Sequence, residues 1–211
     1  MRLAVFASHS GTNVQAILDA QAGGMLPATT VLCVTNNAAA PVLDRTRRFG
    51  IPAVVLDPRS FADPAVYVET LHAELDEHRV DFIALAGYLR KIPTATVAAY
   101  RHRILNIHPS LLPAFGGQGM YGRRVHEAVL AHGVRWTGVT VHLVDDAYDS
   151  GPIVLQEPVP VRPDDTADTL AARVLAVEHH LYPQALRLFA EGRVRVEGRT
   201  VHLREDGAPA P

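Results

Sequence analysis

Apolar runs and amphipathic stretches alternate along nearly the whole chain. The run "RLAVFAS" (2 to 8) predicts a buried strand, "TNVQAILDAQ" (12 to 21) an amphipathic helix and "TTVLCVTN" (29 to 36) a second strand. Together these make a βαβ unit and so a parallel sheet. A helix over about 41 to 49, a short strand "AVVLD" and a helix over about 63 to 78 lead to the apolar strand "DFIALAG" (81 to 87). A short helical piece after Pro93 precedes "RILNIH", and a long loop then leads to a helix near 122 to 131 and to "GVTVHLV" (138 to 144). "PIVLQEPVPV" (152 to 161) reads as a strand antiparallel to the one before it, because too few residues separate them for a crossover. A long helix over about 166 to 190, a hairpin turning at Glu197 and Gly198, and a frayed "EDGAPAP" complete the pattern. The expected class is α/β: a mostly parallel twisted sheet with helices on both faces and an antiparallel C-terminal part.

One strand breaks its own rule. In "ILNIHPSLLP" (104 to 113), Leu105 and Ile107 project to one face of the strand and Asn106 and His108 together to the other. A polar pair in a central strand costs stability unless something satisfies it, so an amide and an imidazole aimed at one spot point to a substrate. In such sheets ligands bind beyond the carboxyl ends of the strands, and the other unusual residues fall at such ends too. Ser10, Gly11, Thr12 and Asn13 follow the first strand and can offer backbone N–H groups to a phosphate at a helix start. Neither a P-loop lysine nor G-x-G-x-x-G is present, which argues against ATP and NAD. Of the loop carboxylates Asp145, Asp146 and Asp149, the first two read as solvated, whereas Asp149 precedes a Ser-Gly-Pro turn able to fix it inward. His142 lies inside a strand and reads as a hydrogen-bonded support rather than a catalyst.

These groups suit acyl transfer between nitrogens. Asn106 can donate to the oxyanion of a tetrahedral intermediate, His108 can move the proton, and Asp149 can orient the ring. No metal is required: 11 histidines are present, but no H-E-x-x-H and no paired C-x-x-C.

Composition narrows the partners. With 211 residues and 48% hydrophobic content the chain suits a single domain over 1–211: a phosphate-binding half of about 1–100, a catalytic half of about 101–190 and a tail over 191–211. A net charge of −2 gives no basic field for nucleic acid or membrane, so small-molecule partners are expected. The one cysteine, Cys33, sits in an apolar run and reads as an inert core thiol; with no signal peptide or membrane-length run, a cytoplasmic monomer or homodimer is expected.

"SGTN" with "QAI", "LAGYLRKIP", "NIHPSLLPAF" and "TVHLVDDAYDSGPIVLQ" resemble the phosphoribosylglycinamide formyltransferases over about residues 3 to 190. The resemblance implies a Rossmann-like formyltransferase fold and transfer of formyl from 10-formyltetrahydrofolate to the amine of glycinamide ribonucleotide, in de novo purine synthesis. It implies catalytic Asn106, His108 and Asp149, and a phosphate site at Gly11, Thr12 and Asn13 beside Ser10. It also implies a folate pocket at Leu89, Arg90, Lys91, Ile92, Val144, Asp145 and Asp146, and a ribose contact at Glu178. The chain departs from that pattern at His9, often glycine in the family, and at Pro64, where some relatives carry arginine. Two related activities are the alternatives: formyltetrahydrofolate deformylase, which normally adds an N-terminal regulatory domain, and methionyl-tRNA formyltransferase, which adds a C-terminal domain and a basic surface. A third alternative is a noncatalytic nucleotide-binding module, which would need no polar pair inside a strand.

Overall fold

A computed structural model describes residues 1–204; the "EDGAPAP" segment, expected to fray, lies outside the described residues. Seven strands form one sheet: β1 (Arg2–Phe6), β2 (Thr29–Thr35), β3 (Ala53–Val55), β4 (Phe82–Leu85), β5 (Ile104–His108), β6 (Trp136–Leu143) and β7 (Ile153–Pro160). Their order is β3-β2-β1-β4-β5-β6-β7. The first five are parallel, and β6 and β7 are antiparallel to their neighbours. The strand direction therefore reverses one strand earlier than the β6–β7 connection, in spite of the helix between β5 and β6. A small hairpin of β8 (Val194–Glu197) and β9 (Thr200–Leu203) follows.

The helices are α1 (Thr12–Ala22), α2 (Val42–Arg48), α3 (Pro64–Glu77), α4 (Thr94–Ala99), α5 (Arg123–His132) and α6 (Ala167–Ala190). Alternation in the strands divides the core into two layers, as a sheet covered on both faces requires. Leu3, Val5, Phe82, Ala84, Leu105 and Ile107 pack on one side with side chains of α1, α5 and α6. Ala4, Phe6, Ile83, Leu85 and Ile104 pack on the other with Tyr67, Leu71 and Leu75 of α3. The Cys33 thiol is buried in the first layer, and burial pushes its pKa up to about 12, as befits an inert core thiol.

Two details position the site. α6 starts with a capping box in which Thr166 and Thr169 satisfy each other's backbone N–H. Near its other end the buried Tyr182 hydroxyl stands 3.0 Å from the carbonyls of both Leu85 and Leu105, bridging β4 and β5. Pro64 opens α3 behind Asp63, whose side chain accepts from the N–H of Ala65.

Candidate active site

The polar pair of β5 lies where the alternation puts it. Asn106 and His108 share a face of the strand; Asn106 stands opposite His142 and His108 opposite Thr140. Thr140 anchors the chain that leaves the strand: its hydroxyl donates to the Ser110 carbonyl and accepts from the Leu112 N–H.

Each ring and amide is oriented by a group whose role is unambiguous. A carbonyl can only accept, so the His108 Nε2–H donates to Phe115 O at 2.8 Å and leaves Nδ1 bare, 3.7 Å from Asp149 Oδ2. By the same reasoning the His142 Nδ1–H donates to Leu143 O, and the bare Nε2 accepts from Asn106 Nδ2 at 3.0 Å. The second hydrogen of that amide faces Asp149 Oδ1 at 3.5 Å. Asp149 is held by the N–H of Gly117, which donates to Oδ2 at 2.8 Å. The Ser-Gly-Pro turn does fix this carboxylate inward: Asp149 adopts a left-handed backbone with φ 53°, and Gly151 presses so close to Leu143 O that a Cβ there would stand 1.8 Å from it.

The electrostatics follow from burial. Only 4% of His108 is exposed, and desolvation lowers its pKa although Asp149 and the bond to Phe115 oppose the shift. The ring is therefore neutral near pH 7, with an open lone pair. Burial pushes the Asp149 carboxyl up, but His142 and His108, each able to carry a positive charge beside it, and the Gly117 N–H together outweigh it and hold the group below its ordinary value. His142 is almost fully buried and supports Asn106 from behind, as its place in the strand suggested.

These groups open into a cleft of about 260 Å³ that also takes in Asn13, Glu178 and the segment from Leu89 to Ile92. Val144 and Asp145 line it as well. Asp146 does not: Asp145 closes a turn by accepting from the Ala147 N–H and the Ser150 hydroxyl, which carries Asp146 out to solvent and to a different cavity. The predicted phosphate loop divides in a similar way. Asn13 faces the cleft, its Nδ2 donating to Glu178 Oε2 at 2.7 Å, and its Oδ1 is buried without a partner among the described residues. Thr12 lines a separate cavity between α1 and α6, Ser10 is exposed, and the Ser10 carbonyl accepts from Arg45. No side chain caps α1, which begins after Gly11 in a left-handed turn (φ 68°). A Cβ on Gly11 would meet Val42 at 2.5 Å, so only glycine keeps α2 this close. Burial raises the Glu178 pKa, against the bond from Asn13.

Sequence reasoning missed several participants. Ser8 is buried at the end of β1; its hydroxyl donates to Asn36 Oδ1 and accepts from the Leu89 N–H, tying the phosphate loop to the 89–92 segment. The Phe115 carbonyl and Gly117 N–H act through backbone, which no side-chain motif reveals. The arginines at the start of α5 are solvated: Arg123 pairs with Glu127 and Asp168, and Arg124 stacks on Tyr121. Among the described residues no group of three or more His, Cys, Asp or Glu could hold a metal ion. Nor is any helix there long and apolar enough to cross a membrane.

The formyl transferase family pattern matches residues 1–186. The chain belongs to the formyl transferase family. Within it, the chain is 37% identical to phosphoribosylglycinamide formyltransferase of Bacillus subtilis, over 88% of this chain and 93% of that one. It is 42% identical to the chloroplastic phosphoribosylglycinamide formyltransferase of Vigna unguiculata over 99% of its residues, and spans 64% of that relative's length. The fold superposes on glycinamide ribonucleotide transformylase 1 of Symbiobacterium toebii with a TM-score of 0.91 at 43% identity, covering 97% of this chain and 94% of that one. A formyltetrahydrofolate deformylase of Pseudomonas syringae shares the fold at 24% identity and a TM-score of 0.86, and this chain covers 66% of it. Placement among formyltransferases of the glycinamide ribonucleotide branch thus agrees with the motifs from which the family was inferred.

Proposed function

We propose that the chain transfers a formyl group from 10-formyltetrahydrofolate to the amine of glycinamide ribonucleotide, with Asn106, His108 and Asp149 as its catalytic residues. The observation that carries this reading is the convergence of all three side chains on one cleft that also holds Asn13 and Glu178. The folate co-substrate supplies an activated formyl carbon; everything else falls to the chain.

The Asn106 amide, fixed by His142, keeps only a long 3.5 Å contact from its second hydrogen to Asp149 Oδ1, and gives up that contact to donate to a carbonyl oxygen that gains negative charge when an amine adds to it. The bare Nδ1 of His108 takes the proton that the attacking nitrogen sheds and returns it to the nitrogen that leaves, while Nε2 stays bonded to Phe115 O. Asp149 favours the transient imidazolium without taking its proton. The partnerless Asn13 Oδ1 and the Glu178 carboxylate accept from ribose hydroxyls, and the uncapped start of α1 offers its N–H groups and positive end to the phosphate. The folate ring fits the wall made by Leu85, Ile92, Val144 and Met120, with the 89–92 backbone at its edge. The inert Cys33 thiol accords with a cytoplasmic setting.

The test follows the appearance of deformylated folate by absorbance, with and without glycinamide ribonucleotide. Signal that requires the amine is expected. Equal signal without it would make the chain a deformylase, and no signal in either case would leave a binding module.

A further inference from the structure

The hairpin β8–β9 lies beyond the residues that the family pattern matches. Its inner side chains Val196 and Val201 pack against the core, and Arg193 and Arg204 close its open end through their backbone groups. Its turn, Gly198–Arg199, therefore stands at a fixed place, across a cavity of about 290 Å³ from the loop that follows β6. Arg199 crosses that gap, and its guanidinium donates to the Ser150 carbonyl at 2.7 Å.

Ser150 is the residue after Asp149. The left-handed backbone of Asp149 is strained for a non-glycine residue and persists only where its surroundings hold it. On the near side the Ser150 hydroxyl is bound to Asp145, and Gly151 is wedged against Leu143 O. On the far side the carbonyl that sets the direction of the peptide plane is held by Arg199. That carbonyl belongs to the peptide joining Ser150 to Gly151, so freeing it lets the 149–151 turn relax, and with it the backbone that aims the Asp149 carboxylate at the Gly117 N–H and His108.

We propose that Arg199 is a positioning residue: from the turn of the C-terminal hairpin it clamps the Ser150 carbonyl and so keeps the Asp149 carboxylate against His108. This rests on the reading of Asp149 as the partner of His108. The hairpin thereby joins the catalytic apparatus without touching substrate.

The experiment compares Arg199→Ala, Arg199→Lys and Asp149→Asn in the full chain by kcat, KM for glycinamide ribonucleotide, pH profile and melting temperature. For Arg199→Ala, kcat is expected to fall about tenfold to a hundredfold, the scale of a small misplacement, with KM nearly unchanged. A loosened carboxylate stabilises the imidazolium less, so the acid limb of kcat/KM should move to lower pH, the direction that Asp149→Asn also takes. Lysine, which can still donate to the carbonyl, should recover most of the loss. A kcat for Arg199→Ala within about twofold of the parent overturns the proposal, as does a loss that tracks melting with the pH profile unmoved. If Asp149→Asn itself keeps full activity and an unshifted profile, the reading of Asp149 falls and the clamp with it. An inactive Asp149→Asn beside an unaffected Arg199→Ala removes the clamp alone.

Discussion

The end of the cleft proposed for chemistry and the end proposed for gripping the substrate are built on opposite plans. Around Asn106, His108, His142 and Asp149 the protein supplies its own partners: two carbonyls set two rings, one amide holds a carboxylate, and one ring holds an amide. At the start of α1 and at Asn13 the partners are withheld, with an uncapped helix and a buried oxygen that nothing in the described residues satisfies. A preorganised site lowers a barrier because nothing has to reorient during reaction, whereas open donors and acceptors gain only when a ligand arrives. The difference separates what should control kcat from what should control KM.

The strongest way to break that division is His108→Ala. It should lower kcat about a thousandfold, the range of a lost acid–base group, while isothermal titration shows glycinamide ribonucleotide binding almost as before. Full turnover in that variant would refute the assignment. Asn106→Ala comes next, with a loss of about a hundredfold in steady-state kcat, the scale of one oxyanion donor. At the gripping end the expected effect is smaller and of another kind. Glu178→Gln should raise KM for the ribonucleotide about tenfold with kcat little changed, because a charged acceptor is lost. It should also raise the melting temperature at pH 7. Burial elevates the folded pKa of Glu178, so its stabilising contribution is complete below the unfolded value of 4.5 and is lost as pH climbs through the folded value. A melt unchanged by the substitution would argue that the carboxylate is not strained.

The smallest effect sharpens the contrast, since His108 carries the opposite sign. Its folded pKa is depressed, so its contribution is complete above the unfolded value of 6.5 and disappears as pH drops through the folded one. Melting temperatures recorded between pH 7 and 5 should decline with acid in the parent and decline less in a His108→Gln variant. Parallel curves for the two would deny His108 a buried, neutral state.

The legibility of these two ends differed for a physical reason. Strand periodicity alone put Asn106 and His108 on one face, because the pleat leaves no choice, and the β5 register confirms it. The long helix expected over 166 to 190 is observed as Ala167–Ala190, its start marked by Thr166. The Ser-Gly-Pro turn singled out Asp149 among three loop aspartates, and Asp146 does face away. Illegible were the contacts made by backbone: the Phe115 carbonyl and Gly117 N–H depend on the path of a loop, and every residue type carries those atoms. Ser8 escaped notice because a lone serine at a strand end has many ordinary uses, and its two partners, Asn36 and Leu89, lie far off in sequence. The direction of β6 was hidden because a helix between strands reads as a crossover, whereas here α5 sits within a reversal.

Tyr182 sits one helical turn beyond Glu178 on α6, and its hydroxyl spans the carbonyls of β4 and β5 directly ahead of Asn106. The helix that carries Glu178 is thus bolted to the strand that carries Asn106 and His108. Under the proposed roles a frame of this kind would measure its guest: an amine attached to the ribose by a longer or shorter arm would be seated firmly and still miss the reacting carbon.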